Sequence, residues 1–154
     1  MVNKNPLLTS WNTPYKIAPF DEILDDHFSE AVERAMEYEL QEIQEISENS
    51  DPPTFENTIH ALLNSGNLLE RVLSVFYTLV SADSNTQREK LMTEFSPKLS
   101  SHSSKITSNE KLFNRIRELF QQIDILNLLP EEQRLLEKIH QDYVRAGAAL
   151  NDQS

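Results

Sequence analysis

The chain reads as an all-α protein, an antiparallel bundle of about five helices preceded by an extended N-terminal arm. Three observations predict this. Apolar residues recur at helical spacing in five successive segments, no segment alternates with the period of a strand, and only two glycines, Gly66 and Gly147, occur in 154 residues. Strand-rich folds draw on glycine for their turns, so this scarcity favours helices.

The arm covers residues 1–20. Pro6, Pro14 and Pro19 each bias the preceding residue towards extended backbone. Leu7, Leu8, Trp11, Tyr15 and Phe20 make the segment too apolar for a free tail, so it is expected to lie on the helices and to bury Trp11.

The first helix is expected from about Asp25 to Glu48, with Phe28, Ala31, Val32, Ala35, Met36, Ile43 and Ile46 on one stripe. Asp25 and Asp26 suit its first turn, where the helix dipole favours negative charge. Pro52 and Pro53 stop it. Thr54 is a good cap for a second helix, with Glu56 in its first turn. The buried stripe there is Ile59, Leu62, Leu63, Leu69, Leu73, Phe76, Tyr77 and Val80, and Gly66 falls inside it. Close approach of a neighbouring helix, or a local break, accounts for a glycine at that position.

Thr86-Gln87-Arg88-Glu89 matches a capping box and opens the third helix, with Leu91, Phe95, Leu99 and Ile106 inward and Pro97 kinking it. Thr107-Ser108-Asn109-Glu110 is a second match and opens the fourth, with Leu112, Phe113, Ile116, Leu119, Phe120 and Ile123. Leu126 to Leu129 connects it to the fifth. Pro130, Glu131 and Glu132 start that helix, whose stripe is Leu135, Leu136, Ile139, Tyr143, Ala146 and Leu150.

Composition narrows the function classes. Twenty-five acidic against fourteen basic residues give a net charge of −11, which opposes nucleic acid and anionic membrane surfaces alike. Twelve carboxylates and one base, Arg34, lie between Asp21 and Asp51. That run is either a solvated helix face or a patch for a basic partner. No cysteine is present, so disulfides and thiolate metal sites are excluded. No apolar run approaches a membrane span, and the expected location is the cytoplasm.

The chain offers few candidates for chemistry. His27, His60, His102 and His140 lie 33, 42 and 38 residues apart, so no helix face presents two imidazoles to one metal. Glu137-x-x-His140 is the repeated element of di-iron bundles, but such a site needs it twice and it occurs once. No Gly-x-Ser-x-Gly elbow, phosphate loop or dinucleotide turn is found. No catalytic, cofactor-binding or metal-binding residue is therefore assigned.

Several ordered segments carry a resemblance. They are Asn5-Pro6-Leu7-Leu8; Pro19-Phe20-Asp21 with Ile23; His27-Phe28 with Ala31; Thr54-Phe55-Glu56-Asn57-Thr58-Ile59 with Ala61-Leu62; Ser65-Gly66 with Leu69, Arg71-Val72 and Val75-Phe76; Leu112-Phe113 with Arg115-Ile116; and Tyr143-Val144-Arg145-Ala146-Gly147-Ala148 with Leu150. Over about residues 5–150 the set resembles the N-terminal region of the thimet oligopeptidase-like zinc metallopeptidases, most of all the bacterial peptidyl-dipeptidase branch. The resemblance implies a larger helical enzyme with a channel for short peptide substrates, zinc on a His-Glu-x-x-His helix, and release of C-terminal dipeptides. That motif is absent from this sequence. The expected organisation is therefore an arm at 1–20, a helical N-terminal domain at 21–150 and a tail at 151–154. The C-terminal catalytic zinc domain, the partner of this region in the intact enzyme, is expected to be missing, and this chain alone inactive. A free-standing acidic helical interaction module is the alternative.

Overall fold

The computed structural model describes residues 4–11 and 13–151, with no side chain described from Ala148 onward. Leu150 of the last expected stripe lies outside the described side chains. Among the described residues the chain is all-α, with no strand. Three single 3-10 turns, Pro6–Leu8, Pro14–Lys16 and Phe20–Glu22, occupy the arm. The helices are α1 (His27–Ser47), a π-helical turn (Phe55–His60) continuing as α2 (Ala61–Leu63), α3 (Asn67–Ala82), α4 (Thr86–Thr107), α5 (Glu110–Gln121) and α6 (Pro130–Asn151). The chain divides into two compact units.

The first unit joins residues up to Leu40 to Gly66–Leu99. Phe28, Val32, Val72, Phe76 and Phe95 form its centre, all essentially inaccessible. Phe76 meets Phe28 and Phe95 edge-on, with ring centroids 5.0 and 5.2 Å apart. The arm joins this core through Leu7, which is fully buried. Asn5 fixes the arm's entry: its Nδ2 donates to His27 O at 2.8 Å and its Oδ1 accepts from Leu7 N at 3.0 Å. Trp11 packs against the core and is only partly buried.

The second unit joins Gln41–Ser65 to the residues from Ser100 onward. Ile43, Ile59, Leu112, Ile116, Leu119, Leu136 and Tyr143 make its core, with α5 packed along α6.

Local structure departs from the sequence expectations at two helix starts, and at Gly66 it takes the local break that the sequence left open. The second helix is two pieces, because Gly66 adopts φ 75° and ψ 11° and ends one before the next begins. Left-handed backbone is costly for any residue with a Cβ, and a Cβ on Gly66 would lie 2.6 Å from Glu39 Oε1. The capping of α4 falls to Asn85, whose Oδ1 accepts from Arg88 N at 2.8 Å, so Thr86 is already helical. Likewise Asn109 caps α5, its Oδ1 accepting from Leu112 N at 2.9 Å, and Thr107 belongs to the end of α4. Asparagine satisfies the same orphan amides as threonine, which shifts each start without altering the buried stripe. Helix α4 runs unbroken through Pro97.

Candidate functional site

The segment from Pro52 to His60 is organised by one side chain, Asn57. Thr54 Oγ1 accepts from Asn57 N at 3.0 Å, and Asn57 Oδ1 accepts from Thr54 N at 2.7 Å, a reciprocal capping box. The same Oδ1 accepts from Thr58 Oγ1, and Asn57 Nδ2 donates to Pro52 O at 3.0 Å. The turn that follows is π-helical, a rare geometry that needs outside support.

That support comes from α5. Arg115 lies on the stripe of Leu112, Ile116 and Leu119 and is 9% exposed. Its Nη1 donates to Asn49 O and Asp51 O at 2.9 and 3.0 Å, and its Nη2 donates to Asn57 Oδ1 at 3.1 Å. One guanidinium thus pins the end of α1, the proline loop and the helix start.

Arg71 plays the matching part in the other unit. Its Nη2 donates to Leu7 O at 2.7 Å and Thr9 O at 3.0 Å, and its guanidinium lies 4.4 Å from the centre of the Trp11 ring. Trp11 Nε1 in turn donates to Pro6 O at 2.8 Å.

The four histidines occupy separate settings. His27 Nδ1 accepts from Leu24 N, His60 Nδ1 lies 2.8 Å from Glu56 Oε2, and His102 is buried. His140 stacks on Phe120 with ring centroids 3.9 Å apart and planes nearly parallel. Burial, and then the charge of Arg117, hold its pKa below the ordinary value. Glu137, the other half of the Glu-x-x-His element, accepts from Gln133 Nε2 at 3.2 Å. Both line an open groove of about 780 Å³ on α5, α6 and the turn between them. Among the described residues no three His, Asp or Glu side chains are placed to share one ion. A catalytic zinc does not fit the groups present, and no step of zinc chemistry is assigned to them.

Many of the residues that carry the resemblance build the scaffold, among them Asn5 and Leu7, Phe28 and Ala31, Thr54 and Asn57, Gly66, Arg71, Val72, Phe76, Leu112, Arg115 and Ile116. No family model matches the chain. Over 150 residues, 97% of its length, the chain is 39% identical to dipeptidyl carboxypeptidase of Escherichia coli. The chain is homologous to bacterial dipeptidyl carboxypeptidases. The Salmonella typhimurium dipeptidyl carboxypeptidase is 38% identical over 152 residues. Oligopeptidase A of Escherichia coli is more distant, 25% identical over 146 residues. The chain spans about a fifth of the length of these relatives, 22% of either dipeptidyl carboxypeptidase and 21% of oligopeptidase A.

Two functional features escaped the sequence reading. The structural use of Arg71 and Arg115 was signalled for Arg115 by its place on an apolar stripe. The groove on α6 was signalled by Arg134, Lys138 and Arg145 recurring on one face.

Proposed function

We propose that this chain is the non-catalytic N-terminal helical domain of a zinc-dependent peptidyl-dipeptidase. The intact enzyme releases C-terminal dipeptides from short peptides, and zinc and the reacting groups lie outside these residues. The observation that carries this is 39% identity along 97% of the chain, against 22% of the relative's length. The residues described above supply packing, caps and clamps, which is the work of a scaffold.

The test is a chimera in which this chain replaces the matching region of Escherichia coli dipeptidyl carboxypeptidase. The chimera is expected to bind zinc stoichiometrically and to hydrolyse a blocked tripeptide, while the chain alone does neither. A soluble, zinc-loaded chimera without hydrolysis would overturn the proposal, as would peptidase activity of the chain alone.

One observation favours the second reading, a helical interaction module. An apolar docking face is expected on the outer side of α5 and α6 if a catalytic half packs there. Among the described residues those helices carry one large apolar side chain with substantial exposure, Val144, and the turn between them carries Ile125 and Leu129. Tyr15, Ile17, Phe20 and Leu24, all exposed, lie instead in the segment before α1.

A further inference from the structure

The groove on α5 and α6 combines an apolar floor with a basic edge. The floor is Phe120, Ile123, His140 and Val144. The His140 ring stacks on Phe120 and lies near Phe113, so the floor is aromatic. The edge is Arg134, Lys138 and Arg145, at i, i+4 and i+11 along α6, one helical face.

Some surface cations outside the groove are paired within the chain, while others, such as Lys90 and Arg117, are in no ion pair with a described residue. Arg88 pairs with Asp25, Lys98 with Glu33 and Glu94, and Lys111 with Glu48. None of Arg134, Lys138 and Arg145 forms an ion pair with a described residue, in a chain with twenty-five carboxylates. Two acids share the groove, Asp124 and Glu137, and Glu137 is turned to Gln133. A row of unmatched cations beside an aromatic floor is complementary to carboxylates carried by an apolar helix. From Arg134 to Arg145 the edge runs about 17 Å, three turns of a docked helix.

We propose that this groove binds an acidic amphipathic helix of a partner protein, its apolar side on Phe120, His140 and Val144 and its carboxylates on Arg134, Lys138 and Arg145. This does not depend on the enzymatic assignment. The probe is a fluorescein-labelled amphipathic peptide of about 14 residues, leucine on one face and glutamate on the other, titrated with the full chain by anisotropy. Saturable binding is expected, weakening steeply between about 50 and 300 mM salt. K138E/R145E is expected to weaken it about tenfold or more with an unchanged helical spectrum; should that variant misfold, K138A/R145A gives the same comparison. No saturable binding, equal binding of a lysine-for-glutamate peptide, or equal binding by the folded double variant would overturn the proposal. So would concentration-dependent self-association in sedimentation that the same substitutions abolish, since the occupant would then be a second copy of this chain.

Discussion

Replacing Arg115 with methionine should cost about 2–4 kcal/mol. The side chain makes three hydrogen bonds, to Asn49 O, Asp51 O and Asn57 Oδ1, all from a charged donor. Bonds to charged groups contribute about 1.5–3 kcal/mol each. The sum is reduced because burying a guanidinium is itself costly, and here Nε is buried without a partner. It is reduced further because the Asp51 end of the loop is exposed and water can replace part of what is lost. Methionine keeps most of the side-chain volume, so the cavity contribution is small. With a denaturant slope of about 2 kcal/mol per molar urea, the unfolding midpoint should fall by about 1–2 M. Far-UV circular dichroism through a urea titration reads this directly. Hydrogen exchange at the Thr54 and Asn57 amides should accelerate with it, because Asn57 Oδ1 loses one of its donors. Lysine at the same position can reach only part of the fork and should recover less than half. A loss under about 1 kcal/mol, with those two amides still protected, would refute the assignment of Arg115 as the clamp.

The two glycines should respond with opposite signs. Gly66→Ala places a Cβ on left-handed backbone against Glu39 and should destabilise by about 1–2 kcal/mol. Gly147→Ala, inside α6 with no neighbour within 4 Å, should stabilise by up to about 1 kcal/mol in the same titration. His140 titrates below its ordinary 6.5 in the fold, mainly through burial, so the unfolded chain binds the proton first. Stability should hold above that pH and fall as the pH drops below it, and His140→Phe, which keeps the stack on Phe120, should flatten that part of the pH profile. Burial alone would raise the pKa of Asp25, but hydrogen bonds from Arg88 and Asn85 and the Arg88 charge outweigh it and hold it below 3.8. Its contribution is present above that value and disappears as the pH falls through the lowered one. Asp25→Asn should cost about 1 kcal/mol at pH 7 and little at pH 2, measured by thermal melts at both.

Much of this architecture is legible in the chain because helix faces repeat. Of the stripe Phe28, Ala31, Val32, Ala35, Met36, Ile43 and Ile46, all are buried except Met36, which is partly buried. Less legible are features set by tertiary bonds. The π-helical turn after Thr54 cannot be read from propensity, because a guanidinium far along the chain holds its cap. Leu63 and Tyr77, placed on the inward stripe of the second helix, are half-exposed. Val72 and Val75 are buried although the expected stripe left them out. The caps moved by one or two residues because Asn85 and Asn109 compete with nearby threonines for the same amides. The candidate groove needed two helices side by side before its apolar floor appeared, although its basic row was visible in α6 alone.

The two internal arginines bear on behaviour in alkali. Pairs built on lysine, such as Lys98 with Glu33 and Glu94, loosen once ammonium groups lose their protons. A guanidinium keeps its charge far beyond that point. The arm fastened by Arg71 and the proline loop fastened by Arg115 should therefore outlast the lysine pairs only in strongly basic solution, because Glu94 and Glu33 raise the pKa of Lys98 while burial lowers that of Arg71. Alkaline loosening of this chain should begin at its lysine pairs and reach its guanidinium bonds later.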